Sequence, residues 1–309
     1  MKMIWKASIF TKQISLLVFI LLFMAACSSS ELTTTPPVSS SQVSSTPEVD
    51  TAVTLTPFGP STIEPGVPLA ASVNGQGITL EEYQAELERA LAASETGLAT
   101  FTEADVLQNL IDELLLAQGA TEAGFIPDKV LIQTHIEQLA MDQQALQDWQ
   151  AKNGYTQDSF ERTFSRAIAA AWMRDQIISS VSSTAEQVHA RQILLYNSNE
   201  AENAYAQLQA GTDFATLATQ YDPMSSGELG WFPRGYLTVP ELDDPIFSLQ
   251  PGVYTEIIET VLGFHIVQVI DRDPQHTLSP GAFQTFQVQA VENWLIERRS
   301  QSDIQILLS

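Results

Sequence analysis

Hydrophobic periodicity changes twice along this chain of 309 residues, and those two changes bound its architecture. From Thr79 to Thr184 apolar side chains recur at helical spacing. Leu80, Tyr83, Leu87 and Leu91 form one stripe, Val106, Leu107, Leu110, Ile111, Leu114 and Leu115 a second, and Phe160, Phe164, Ile168 and Trp172 a third. Thr79 with Glu82, and Thr102 with Asp105, have the spacing of capping boxes, while Gly119, Gly124 and Asn153-Gly154 act as stops. Pro127 suits the first turn of a further helix. The aromatic face of the last stripe is read as core packing rather than as a groove. After Thr184 the pattern alternates, predicting a strand over Val188 to Tyr196, helices near Glu200 to Gln209 and Phe214 to Tyr221, a short helix from Pro240 to Leu249, and closing strands over Val253 to Thr260 and Phe264 to Val269. Helical spacing then returns with Phe283, Phe286, Ala290 and Trp294, a face apolar enough to need a partner. Ahead of all this, Ala70 to Ile78 reads as extended chain with an Asn74-Gly75 turn. The expected fold is α+β: a mostly helical domain over 70–185, an inserted domain with a small antiparallel sheet over 186–274, and a C-terminal helix over 275–309 packing back on the helical part.

The amino end carries an address. Lys2, Lys6 and Lys12 precede an apolar run from Ile14 to Phe23 and then Met24-Ala25-Ala26-Cys27, the order of an export signal over 1–26. The apolar run is roughly half the 20 residues that a spanning helix needs. Cys27 is the sole cysteine, so it has no partner for an internal disulfide or zinc cluster. Residues 27–69 are mostly Ser, Thr and Pro, too poor in large apolar groups to offset the entropy of ordering, and are read as a disordered stalk. About 40 residues at 3.3 Å each would reach on the order of 130 Å when extended.

Charge removes one class of partner. The whole chain carries −23; residues 1–26 hold three of its 14 basic residues and none of its 37 acidic ones, so the remainder carries 11 basic against 37 acidic, a net −26. That balance disfavours nucleic acid and suits a soluble exported surface. No phosphate loop, zinc spacing, calcium loop or hydrolase motif occurs, so neither a metal nor a cofactor is expected. His135 lies in a helical stretch, and His189 and His276 flank the α+β segment without a partner motif. His265 stands apart because it follows Gly263-Phe264 at the start of a closing strand.

Met24-Ala25-Ala26-Cys27 resembles the bacterial lipobox, which implies a lipid on Cys27 and an extracytoplasmic, membrane-tethered protein; an ordinary cleaved signal with a chance cysteine is the alternative. Several further blocks, His189-Ala190-Arg191-Gln192-Ile193-Leu194-Leu195, Gly211 to Ala218, Gly227 to Gly235, Phe247-Ser248-Leu249 and Gly263-Phe264-His265-Ile266-Val267, resemble the parvulin family of peptidyl-prolyl isomerases. Val73-Asn74-Gly75 and Leu110 to Leu115, together with the layout, resemble the helical parts of the SurA and PrsA chaperone foldases. The resemblance implies a helical domain that holds unfolded exported polypeptide and a parvulin domain that isomerises X-Pro bonds.

By that resemblance the polar site residues are Gln192, Asp222, Thr260 and His265, and the proline pocket is lined by Leu229, Leu237 and Leu242. Gln192 stands where the family usually has His, and glutamine cannot carry a proton charge as imidazole does. The loop from Tyr221 to Gly227 is shorter than usual, and Asp222 is its best match to the family's Cys or Asp. Leu242 replaces a usual Phe, and one extra residue separates Gly235 from Leu242. Each leucine has a plain core role as its alternative, and so does His265, satisfied by Thr260. Two functions follow: an active isomerase, or a holdase whose parvulin domain has lost most activity.

Overall fold

The computed structural model describes residues 66–308 apart from 96, 98, 99 and 140. Cys27, the signal segment and the stalk up to residue 65 lie outside the described residues. Contacts divide the chain into two units, 1–176 with 292–309, and 177–291.

The first unit opens on a hairpin of β1 (Leu69–Val73) and β2 (Gln76–Thr79). Its turn residues Asn74 and Gly75 have φ of 52° and 79°. Two consecutive positive φ values are what a tight Asn-Gly hairpin turn needs. Five helices follow: α1 (Leu80–Glu95), α2 (Glu103–Glu122), α3 (Lys129–Gln138), α4 (Gln143–Lys152) and α5 (Gln157–Ser179). The capping box at Thr102 and Asp105 forms in both directions. Helix α3 starts later than the proline suggests, because Asp128 accepts the Leu131 N–H at 2.8 Å and is the N-cap, leaving Pro127 outside. Phe160, Phe164 and Ile168 of α5 pack with Ile132 in one apolar cluster, and Trp172 stacks on Phe125 with ring centroids 4.6 Å apart.

A strand that sequence patterning does not announce, β7 (Ile304–Ile306), pairs with β1 and makes a three-stranded sheet ordered β2-β1-β7. Three residues are too few to display an alternation. Asn74 joins the pieces: its side chain donates to Gln118 Oε1 at 2.8 Å and accepts the Asp303 N–H at 2.9 Å. Part-buried charges hold one another. Arg166 of α5 bonds Glu113 at 2.8 Å and also Glu82, while Arg299 bonds Asp112 through Nε at 2.8 Å.

The second unit is a four-stranded antiparallel sheet ordered β4-β3-β6-β5, with β3 (Thr184–Leu195), β4 (Glu228–Pro233), β5 (Ile258–Thr260) and β6 (Gly263–Thr277). On one face, Ile193, Leu195 and Ile266 pack against α6 (Ser198–Gln209) and α7 (Phe214–Tyr221). On the other, Val188, Ala190, Val267 and Val269 meet Phe232, a 3₁₀ turn (Pro240–Leu242) and α8 (Asp243–Phe247). The two long strands run further than their apolar residues predict, since β3 and β6 continue to pair through polar residues as far as Thr184 and Thr277. Helix α9 (Pro280–Ser300) leads to the C-terminal strand.

Candidate functional site

Strand register brings the polar candidates together. Gln192 pairs with Val267 and Leu194 with His265, and directly opposed residues share a face, so Gln192, Leu194, His265 and Val267 point to the same side. Thr260, at the end of β5, reaches the same imidazole across the β5-β6 turn. His265 Nδ1 lies 3.0 Å from Gln192 Oε1, and Nε2 lies 2.9 Å from Thr260 Oγ1. An amide oxygen only accepts, so Nδ1 carries the proton, and Nε2 accepts from the Thr260 hydroxyl. That hydroxyl in turn accepts the Leu262 N–H at 3.1 Å. His265 is 2 % exposed and both ring nitrogens are satisfied. Burial pushes its pKa below the ordinary imidazole value, which keeps the ring neutral near pH 7. Glutamine therefore does for the buried ring what a neutral imidazole at that position would do, while its own NH₂ has no partner among the described residues.

Two glycines permit this closeness. A Cβ on Gly227 would lie 1.9 Å from the Gln192 carbonyl oxygen, and one on Gly263 would lie 2.4 Å from that of Leu195; both also sit at positive φ. The backbone approach at Gly227 is sealed by a 2.7 Å bond from the Gln192 N–H to its carbonyl.

Asp222 stands apart from the trio. Its carboxylate is engaged within its own turn, where it accepts the Ser225 hydroxyl and the N–H groups of Ser225 at 3.2 Å and Met224 at 3.1 Å. These bonds, led by the Ser225 side chain, hold its pKa below the usual carboxylate range. The short loop explains the placement, because the chain turns straight from α7 into the segment bonded to Gln192.

The three leucines belong to the apolar cluster that includes Val267, on the face of His265. Leu242 is buried inside it, and Leu229 and Leu237 are half-buried at its edge beside Ile258 and Tyr236. Leu229 is aimed there by a β-bulge, since Gly230 pairs with Ala190 and Glu228 with the next residue, Arg191. Phe247 and Ile258 share the cluster, and the pattern of apolar residues alone does not single them out. The remaining histidines are elsewhere. His135 bonds the Leu131 carbonyl in its own helix at 2.9 Å. His189 and His276 stack on Trp231, with centroids 5.5 and 4.2 Å away.

Two known domain families match this sequence, one over each of its two regions. Residues 173–271 match the PPIC-type PPIASE domain and residues 51–174 the SurA-like N-terminal domain. The chain joins a parvulin-type domain to a SurA-like one. Among curated proteins it is 25 % identical over 226 residues to the foldase protein PrsA of Caldanaerobacter subterraneus subsp. tengcongensis, covering 65 % of this chain and 72 % of that one. It is 26 % identical over 246 residues to the chaperone SurA of Thiobacillus denitrificans, covering 66 % of this chain and 56 % of that one. A crystal structure of the peptidylprolyl isomerase PrsA from Bacillus cereus aligns over 72 % of this chain and 82 % of its own, with 19 % identity and a TM-score of 0.40. No helix among the described residues is long and apolar enough to cross a membrane.

Proposed function

We propose that this protein is a lipid-anchored extracytoplasmic foldase that isomerises X-Pro bonds in unfolded exported polypeptides. The observation that carries the reading is the line Gln192, His265, Thr260 beside the leucine-edged cluster. Rotation about an X-Pro bond breaks amide resonance against a barrier of about 18 to 20 kcal/mol and needs no nucleophile. In the twisted amide the carbonyl and the nitrogen no longer share the lone pair. A site that prefers this state needs an apolar cup for the ring and neutral polar groups aligned beside it. Leu229, Leu237 and Leu242 supply the cup, with Leu242 as its floor. The free NH₂ of Gln192 is a donor for the substrate amide, oriented because its oxygen is committed to His265. Asp222 supports the Gly227 turn rather than touching substrate.

A protease-coupled assay on a proline tetrapeptide tests the activity. Acceleration that falls at least tenfold in His265→Ala is expected, whereas no acceleration by folded protein at micromolar concentration removes the catalytic claim. Cys27 is proposed as the lipidated first residue of the mature chain. Mass spectrometry of the membrane-extracted protein should find a diacylglyceryl mass on Cys27, and an unmodified or absent Cys27 overturns the anchor.

Two observations favour a second reading, a holdase with little isomerase activity: position 192 lacks an imidazole and the Asp222 carboxylate is occupied. Gln192→His separates the two. A large gain in rate supports the holdase reading of the parent, and an unchanged robust rate removes it.

A further inference from the structure

The loop that carries Leu237 is held by two residues outside the polar trio. Between β4 and the 3₁₀ turn, Arg234 to Val239 present Tyr236 and Leu237, both half-buried against the apolar cluster. These loop residues pair with no strand, so their backbone groups are tied elsewhere. Gly235 is the anchor. At φ of 80° it takes the left-handed conformation that glycine allows, and its backbone is gripped from both sides. Its N–H donates to Asp243 Oδ2 at 2.9 Å, and its carbonyl accepts the Gln289 side-chain NH₂ at 3.4 Å. Asp243 opens α8 and is 9 % exposed. Its other oxygen is buried without a partner, so the Gly235 bond is the one this carboxylate makes among the described residues. Gln289 belongs to α9, well past residue 271, where the parvulin-type match ends. Helix α9 meets the loop again at its first turn, since a Cβ on Gly281 would lie 3.2 Å from the Tyr236 hydroxyl. All of these residues fall within the unit 177–291.

Resting on the isomerase reading above, we infer that Asp243 and Gln289 are positioning residues of the proline cup: together they clamp Gly235 and so fix where Leu237 and Tyr236 stand at its edge. They act through Gly235 rather than on the reacting amide. Without the clamp the loop samples several backbone states, and a proline ring entering the cup must select the one that places Leu237, a cost that falls on binding. Rotation of the bound amide depends on Gln192, His265 and Thr260, whose bonds the clamp does not share. The clamp therefore acts on KM and leaves kcat nearly unchanged. Half of it comes from a helix that the parvulin-type match does not include.

The test uses the full-length purified chain and the proline tetrapeptide assay. Asp243→Ala should raise KM about fivefold and Gln289→Ala about threefold, each with kcat within about twofold of the parent. Asp243→Asn keeps an oxygen for the Gly235 N–H and should recover most of the loss in KM. By NMR, the Leu237 methyl signals should shift in both alanine variants while the His265 ring signals hold. An unchanged KM in both alanine variants, or a fall in kcat as large as the rise in KM, overturns the inference while leaving the isomerase intact. Should Asp243→Ala fail to fold, Gln289→Ala decides by the same criteria. If the parent turns over no peptide, the isomerase reading falls. Peptide affinity, read by titrating the Leu237 methyl signals, then replaces KM, and equal affinity in the parent and Gln289→Ala overturns the clamp.

Discussion

In the helical unit part-buried charges are paired with one another, whereas the polar groups that meet at the parvulin-type site are neutral. Arg166 is shared by Glu82 and Glu113, and Arg299 grips Asp112, so the charges of α1, α2, α5 and the C-terminal segment are spent on one another. Burial works against the Arg166 charge, but the two carboxylates raise its pKa overall; Glu113 is raised too, first by burial, as expected where one cation faces two anions. No charged group bonds His265. A hydroxyl, an imidazole and an amide form a directional chain that ends in a free NH₂. The ionic cluster ties α1, α2, α5 and the C-terminal segment together. The neutral chain fixes one ring and leaves a donor available.

The largest effect is expected where the ionic pattern is broken. Arg166→Met leaves Glu82 and Glu113 facing each other without a cation, which should cost about 3–5 kcal/mol in urea unfolding. Replacing all three by Met, Gln and Leu should recover most of that loss, because the desolvation penalty disappears with the charges. The NMR signals of His265 should stay in place in both variants. If the single substitution costs under ~1 kcal/mol, the triad is not the organising contact described here.

Breaking the neutral chain should cost less. Gln192→Ala orphans a buried N–H, a loss of about 1–3 kcal/mol, while Gln192→His keeps an acceptor and should lose little. Thermal unfolding gives the energies, and nitrogen chemical shifts of His265 report the tautomer. A ring that stays protonated on Nδ1 in Gln192→Ala, with unchanged stability, would sink the assigned role of the glutamine.

The same contrast governs what could be read from sequence. Helices α1, α2 and α5 were legible because each carries its own stripe, the first two with capping residues at Thr79 and Thr102, and the α+β class followed from the change of period. His265 and Gln192 were visible through a family resemblance, and their direct bond follows from pairing β3 with β6. What stayed hidden depends on partners far along the chain. Strand β7 has meaning only against β1, Asn74 reaches Asp303, and Arg166 reaches Glu82. The bulge at Leu229 and the capture of Asp222 by Ser225 are decided by local backbone geometry that residue types leave open.

The smallest predicted effect gives the two units opposite responses to acid. The His265 pKa is lowered in the folded state, so as pH falls through about 6.5 the unfolded chain takes up this proton first. Stability present above that pH is lost until the folded-state value is reached, then no further. Glu113 has a raised pKa, so the folded state takes its proton first as pH falls toward the ordinary carboxylate value of 4.5, and the helical unit gains. Between pH 7.5 and 5.5, intrinsic-rate-corrected hydrogen exchange should therefore quicken in β3 and β6 while α2 and α5 hold. The quickening should be smaller in His265→Gln, which isolates this ring from His189 and His276. Equal acid sensitivity in His265→Gln and the parent would show that the buried imidazole does not set the domain's pH response.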